Sequence, residues 1–263
     1  MATKAKTKTK AKKEEPKEPN FPKELREFIE AGVQFGHLKS SVHAGMYPYI
    51  FGTRNNVHII DVAKTKEKLT ESLEFIKNLA KEGKTILFVG TKLPARQAIK
   101  TVAEKTGMPY VANRWYGGTL TNWSSISERI AFLKELRAKK GSDEWNKYPK
   151  HERLEMEKKI KKLEYNLGGI EKMEKLPDAV FVVDLHQNKL AAQEARKTKI
   201  VSLGIADTNV NPKLVDFPIP ASDGAVSSIA LILDKVADAI IKSKKGKTAP
   251  KTTAKTASKR TKK

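Results

Sequence analysis

The sequence predicts an α/β fold in which helices cover both faces of a parallel sheet. Short apolar runs alternate with segments of helical periodicity at 57–111 and again at 179–240. Ile86–Val89 and Ala179–Val183 are apolar throughout, as expected of strands buried on both faces. Because alternating strands and helices build a parallel sheet under helices, both blocks are interpreted as one sheet domain.

The first block begins with a short helix and a segment rich in loops. Pro22 suits a first helical turn, and apolar residues follow it at helical spacing as far as Gly32. Residues 33–56 hold four glycines or prolines and are predicted to be rich in loops. The later elements, in order, are a strand at 57–60, a helix from about 69 that ends at Gly83, a strand at 86–89, a helix at 94–106 and a weaker strand at 109–111.

The second block repeats the alternation. Its predicted elements are a strand at 179–183, a helix at 188–197, a strand at 200–203, a proline-limited edge strand at 217–220 and a final helix through Ile240. Ser222 or Asp223 is the expected N-cap of that last helix.

The segment between the blocks, 124–174, predicts an inserted antiparallel coiled-coil hairpin. Ser125 and Glu128 have capping-box spacing, and a polar break follows at 140–150. The apolar residues beyond the break recur close to a heptad seam: Met156, Ile160, Leu163, Leu167, Ile170 and Met173. Two ordinary helices that cover the sheet are the alternative.

Basic charge is concentrated at the two ends of the chain. The net charge is +22, of which residues 1–20 carry +4 and residues 242–263 carry +10. Both ends are Lys-Thr-Ala-rich and are predicted to be disordered basic tails that flank a body formed by 21–123 and 175–241. Neither tail has the apolar face of a membrane anchor, so the charge favours a nucleic-acid partner.

Composition and motifs argue against most enzymes. The chain has no cysteine, which excludes disulfides, thiolate catalysis and cysteine-based zinc sites. It shows no secretory signal, no membrane-length apolar run and no dinucleotide, P-loop, serine-hydrolase or zinc-protease motif. We therefore expect no cofactor and no catalytic residue.

Two groups of residues could form a ligand site. Asp61, Asp184 and Asp207 fall at strand ends, where nucleotide or magnesium could bind, although helix capping is the favoured interpretation. His37 and His43 could ligate a metal, but ordinary loop histidines are favoured, and no metal is expected.

Cations near the predicted loops are candidates for RNA contact. Lys39 precedes the first strand, and Arg54 with Asn55 lies just before it. Lys92, Arg96 and Lys100 are spaced by four residues from a strand end and could form one phosphate-binding stripe.

The segment 113–122 combines a cation, two aromatic residues, two glycines and small polar residues. Arg114, Trp115 and Asn122 could therefore stack on bases or hold phosphates. Burial of Trp115 at the base of the hairpin is an equally weighted alternative.

The chain resembles the family of the second protein of the small ribosomal subunit, in its bacterial type, from about Gly32 to Ile240. The resemblance is carried by 32–37, 49–61, 88–92, 114–122, 167–170, 176–178, 194–195, 207–209 and 219–220. It implies a flavodoxin-like three-layer fold with a protruding coiled-coil hairpin. It also implies a structural role that binds ribosomal RNA and neighbouring proteins, including protein one. A cytoplasmic ribosome is expected, with an organellar ribosome as the disfavoured alternative.

Two departures from the family pattern affect its contacts. Ala221–Gly224 replaces a run of the Gly-Asn-Asp-Asp kind and loses one acid, while Leu38–Gly45 replaces an Arg-rich segment. A nucleotide-using α/β enzyme and a general nucleic-acid packaging protein that acts through its tails are the alternatives.

Overall fold

A computed structural model describes residues 22–245. The predicted N-terminal tail and residues 246–263 lie outside the described residues. The helices are α1 (Lys23–Glu30), α2 (Val62–Glu82), α3 (Leu93–Thr106), α4 (Trp123–Lys140), α5 (Lys150–Leu167), α6 (Lys189–Lys197) and α7 (Val226–Lys245). The strands are β1 (Phe35–Leu38), β2 (Ile50–Arg54), β3 (Val57–Ile60), β4 (Ile86–Val89), β5 (Tyr110–Val111), β6 (Ala179–Val182), β7 (Val201–Ala206) and β8 (Phe217–Pro220).

The two predicted blocks form one parallel sheet of five strands, in the order β5-β4-β6-β7-β8. Numbered along the chain from β4, this order is 2-1-3-4-5, which is the flavodoxin-like order. The prediction of a parallel sheet is confirmed. Pro218 and Pro220 are tolerated because β8 lies at an edge.

Alternate residues of the central strands face two separate apolar cores. In β4, Ile86 and Phe88 pack with residues of α2, α3 and α7, whereas Leu87 and Val89 pack on the opposite face. Residues of α6 and of the hairpin helices α4 and α5 cover that second face. The outcome is a three-layer arrangement, with every residue of β4 and β6 buried as their sequences predict.

The prediction of loops at 33–56 is wrong, and 57–60 does not join the main sheet. β1, β3 and β2 instead form a separate antiparallel sheet. Asn55 and Asn56 have φ angles of 49° and 64° and form the two-residue turn between β2 and β3. Asparagine tolerates this left-handed conformation, which a tight hairpin turn requires at both positions.

The inserted helices α4 and α5 pack against each other in antiparallel orientation. Arg137 pairs with Glu164 at 2.7 Å, and Lys140 further along α4 pairs with the earlier Glu157 at 3.1 Å. Leu133, Leu136 and Ile160 form a small core of their own away from the sheet. The base of the insertion, which includes Ile126, Ile130, Leu167 and Ile170, packs in the second core of the sheet. The insertion therefore covers the sheet at its base and forms a helical pair beyond it.

Three helix boundaries differ from the prediction. α4 begins at Trp123, ahead of the proposed capping box at Ser125, and α7 begins at Val226, after the proposed cap. α7 also extends to Lys245, so the predicted start of the tail at 242 is wrong. Ser243 is buried and Lys244 Nζ donates to the Thr106 carbonyl at 2.8 Å, which ties this last turn to α3.

Gly169 allows the base of the insertion to approach β5 closely. A Cβ at Gly169 would overlap the Tyr110 carbonyl oxygen, whereas a Cβ at Gly168 would meet nothing within 4 Å. We expect Gly169→Ala to lower the free energy of unfolding by about 1–3 kcal/mol, as other overpacked sites do. Gly168→Ala is the matched control and should leave it nearly unchanged. Equal midpoints in urea for the two variants would contradict this packing.

Candidate nucleic-acid interface

The loop at 112–122 is held by one buried carboxylate, that of Glu194 on α6. Its Oε1 accepts from Trp115 Nε1 at 3.1 Å and from the Gly118 N–H at 2.9 Å. Its Oε2 accepts from the N–H groups of Leu120 and Thr121 at 3.0 and 3.3 Å, and from the Thr121 hydroxyl. Burial by itself raises the pKa of Glu194, but these donors outweigh burial and lower it below its ordinary value.

This anchor divides the loop into an inward and an outward set of side chains. Trp115 is 9% exposed and its indole nitrogen is used by Glu194, so its ring is not free to stack on a base. The prediction of Trp115 as an RNA contact is thus not supported, and its intramolecular alternative is favoured. Arg114 and Asn122 are exposed, and the Arg129 guanidinium lies 6.0 Å from the Tyr116 ring centroid.

A cluster of charges lies at the carboxyl edge of the main sheet. Lys92 Nζ contacts Asp223 Oδ1 at 2.6 Å, and His37 Nδ1 lies 3.1 Å from Asp207 Oδ1. Burial, followed by the charge of Asp207, raises the pKa of Asp223 to about 6. The contact with Asp207 raises the pKa of His37 as well. Burial of the acids together thus favours the protonated form of Asp223, and contact with Asp207 favours the protonated form of His37.

Three side chains of this cluster could hold a metal ion. One ligand atom from each of His37, Asp207 and Asp223 lies within 4.8 Å of the other two. A histidine nitrogen and two carboxylates suit a divalent cation, although Lys92 already contacts Asp223. The second candidate ligand, His43, instead accepts from the Gly45 N–H and caps the turn at 44–49. Of the two histidines considered from the sequence, only His37 lies in a possible cation site.

The other strand-end acids stabilise a helix start and a turn. Asp61 Oδ1 accepts from the Ala63 N–H and caps α2. Asp184 Oδ1 accepts from the N–H groups of His186 and Gln187, in the turn that precedes α6. Helix capping and loop stabilisation are the roles favoured for these acids from the sequence.

Lys39, Arg54 and Asn55 are brought together by the small antiparallel sheet. The Lys39 N–H donates to the carbonyl of Asn56, which follows Asn55 in the turn. The side chains of Lys39, Arg54 and Asn55 are all exposed. The structure therefore places these three predicted site residues on one cationic edge, which we call the hairpin-turn surface.

The predicted stripe of Lys92, Arg96 and Lys100 is only partly available. Lys92 is engaged by Asp223, and Arg96 Nε donates to the Thr91 carbonyl at 2.9 Å. Arg96 also contacts the Tyr165 hydroxyl on α5 at 3.4 Å. Sequence spacing could not reveal these partners, because they lie 131 and 69 residues away along the chain.

Comparisons with known proteins decide which family this chain represents. The model of the ribosomal protein S2 family matches residues 28–243. A relative from Rhodomonas salina, small ribosomal subunit protein uS2c, is 45% identical over 223 residues, which cover 85% of this chain and 92% of the relative. The chain belongs to the ribosomal protein S2 family. As an S2 protein it is a structural constituent of the small ribosomal subunit and not an enzyme, and ribosomal RNA binding is implied by the family.

Some exposed surfaces of this S2 protein are not identified by the sequence patterns above. Lys158, Lys161 and Lys162 are all exposed on α5, at a spacing of three and four residues that could have identified them. Phe51 is 81% exposed on β2, which lies in the segment 33–56 that the sequence predicts to be rich in loops. No helix within 22–245 combines the length and hydropathy needed to cross a membrane.

We expect Glu194→Gln to destabilise the protein by roughly 1.5–3 kcal/mol, because an amide cannot replace a carboxylate that accepts from several donors. The pKa of Glu194 is lower in the folded protein than in the unfolded chain, where a glutamate has a pKa of about 4.3. The ionised carboxylate therefore stabilises the fold fully above that unfolded pKa. This stabilisation is lost as the pH falls through the folded pKa. The difference between wild type and variant should therefore shrink below about pH 4. Urea unfolding at pH 7 and pH 3.5 measures it, with the exposed Glu104→Gln as control. A difference that is independent of pH would contradict the assignment.

Proposed function

We propose that this S2 protein binds small-subunit ribosomal RNA through two exposed cationic surfaces of its folded body. The first is the hairpin-turn surface, with Lys39, Arg54 and Asn55. The second is the outward side of the loop at 112–122, with Arg114 and Asn122. Arginine and lysine hold phosphates, and asparagine amides can bond to base edges or the sugar.

The anchoring of the loop by Glu194 is the observation that carries this proposal. Glu194 holds four N–H donors and one hydroxyl of the loop, while Arg114 and Asn122 stay exposed. A loop fixed before binding loses little conformational freedom when it meets RNA. Arg114 and Asn122 are therefore presented at low entropic cost.

The charge around the hairpin-turn surface also supports RNA contact. Residues 31–60 contain no aspartate or glutamate, and their charged side chains are Lys39 and Arg54, with three histidines besides. A surface without acids attracts phosphates and does not repel them at close range.

Exposed apolar side chains on or near the small sheet, which we call the aromatic face, suit a protein partner. They are Phe35, Leu38, Tyr47 and Phe51, which are 52%, 56%, 58% and 81% exposed. Exposed aromatic and aliphatic side chains are typical of protein interfaces. We propose that protein one of the small subunit docks on this face, and that α4 and α5 form the coiled coil expected of the family.

The compartment is the remaining part of the proposal. A cytoplasmic ribosome is proposed from the sequence, and a plastid ribosome is the alternative favoured by the chloroplast-type name of the Rhodomonas salina relative. Separation of organelles from cytosol, followed by detection of the protein on small subunits, distinguishes the two. Recovery on plastid small subunits alone would overturn the cytoplasmic assignment.

The RNA surfaces are tested by the double variant Arg54→Gln with Arg114→Gln. The slope of log affinity against log salt is negative, and each phosphate contact removed should reduce its magnitude by slightly less than one. For the double variant we therefore expect the magnitude to fall by roughly 1.5–2. Filter binding of the full chain to protein-free small-subunit RNA measures the slope. Lys197→Gln with Lys213→Gln removes two exposed charges elsewhere as a control. An identical decrease in both pairs would mean that only total charge matters.

Docking of protein one is tested by Phe51→Ser, with the exposed Phe132→Ser on α4 as the matched control. We expect small subunits that contain Phe51→Ser to retain this protein but to lose most binding of purified protein one, because the most exposed aromatic of the patch is gone. Sedimentation of labelled protein one with each particle is the measurement. Unchanged binding by Phe51→Ser particles would remove the aromatic face from the proposal.

A further inference from the structure

We propose that the outer face of α5 is a further RNA contact, separate from the two surfaces above, which binds the phosphate backbone through Lys158, Lys161 and Lys162. The proposal rests on the ribosomal RNA-binding role proposed above. It adds the inserted helical pair to the RNA-binding part of the protein and names the residues that act there.

The three lysines lie on one face of α5. Residues three and four apart are neighbours on a helix surface, with Cβ atoms roughly 5–6 Å apart. Lys158, Lys161 and Lys162 satisfy this spacing, and all three side chains are exposed. They form one compact group of positive charge.

Three acids of α5 and of the turn that follows it pair with α4, whereas Glu152 and Glu155 of α5 are exposed. Glu157 pairs with Lys140, and Glu164 and Glu171 both pair with Arg137, at 2.7–3.1 Å. Within 22–245, no ion pair involves Lys158, Lys161 or Lys162. The insertion therefore has neutralised pairs between its helices and, in the described part of the chain, leaves these three lysines without an ion-pair partner. Glu155, one turn before Lys158, is the one exposed acid of α5 beside this group.

The lysine face is held in a fixed position relative to the sheet. Tyr165, one turn beyond Lys161, contacts Arg96 of α3 through its hydroxyl, and its carbonyl accepts from the Asn113 side chain. Asn113 directly precedes Arg114. Tyr165 therefore links the lysine-bearing helix to α3 and to the loop that is already proposed to bind RNA.

The chemistry of the face favours phosphate over bases or a protein surface. Ammonium groups act as point charges that bind phosphate without a required geometry. No aromatic side chain lies among the three lysines to stack on a base, and Tyr165 at the edge is engaged by Arg96. The expected ligand is the RNA backbone, contacted independently of sequence.

The test compares the full chain with the triple variant Lys158→Gln, Lys161→Gln and Lys162→Gln. Glutamine keeps high helix propensity, so α5 should remain folded, which circular dichroism can verify. Binding to protein-free small-subunit RNA is measured across a range of salt concentrations. The control removes three exposed charges elsewhere, as Lys77→Gln, Lys81→Gln and Lys197→Gln.

We expect the slope of log affinity against log salt to become shallower by roughly 2–3 in the triple variant and to change little in the control. An unchanged slope in the triple variant would overturn the inference while leaving the proposed function intact. Unchanged RNA binding together with weaker entry into assembled small subunits would assign the face to a protein and also overturn it. Failure of the wild-type chain to bind either target would instead reject the proposed function.

Discussion

The carboxylate of Glu194 joins two parts of this protein that are 73–79 residues apart in sequence. It lies on α6, which covers one face of the sheet, and it accepts hydrogen bonds from the loop that leads into α4. A buried ionised group is stable only when donors surround it, and here backbone N–H groups supply most of them. The loop, the start of the insertion and the second core therefore depend on one buried residue.

The carboxyl edge of the sheet has the features of a ligand site but uses them internally. In open parallel sheets this edge commonly binds nucleotides. Here Lys92 and His37 contact Asp223 and Asp207, and Thr91 bonds to Asn188 at 3.0 Å. The charges neutralise one another within the fold. This member of the S2 family thus has a sheet of the kind found in nucleotide-binding enzymes, with the charges at its carboxyl edge paired inside the fold.

Sequence patterns predicted the sheet well because its strands are buried on both faces. The uninterrupted apolar runs of β4 and β6 have almost no other explanation in a chain with helical segments between them. β1 and β2 were missed because they are short, half-exposed and interrupted by glycine, and both pair with β3 through an irregular register. Weak amphipathic signals of this kind cannot be separated from loops by periodicity.

The candidate site was predicted less completely than the fold. Arg54, Asn55, Arg114 and Asn122 were recognised as exposed candidates by their residue types, and the structure exposes them. The roles of Trp115 and Lys92 depend on Glu194 and Asp223, which lie 79 and 131 residues further along the chain. Contacts at such separation are set by tertiary packing, so no local pattern in a single sequence reports them.

The central claim is that fixed surfaces of the folded body, more than the lysine-rich ends of the chain, hold this protein on ribosomal RNA. Ultraviolet cross-linking of intact small subunits, followed by mass spectrometry of the cross-linked peptides, tests it directly. We expect cross-links at the hairpin-turn surface, at 112–122 and on the outer face of α5. Cross-links confined to residues 1–20 and 246–263 would contradict it and would favour a packaging role for the basic ends.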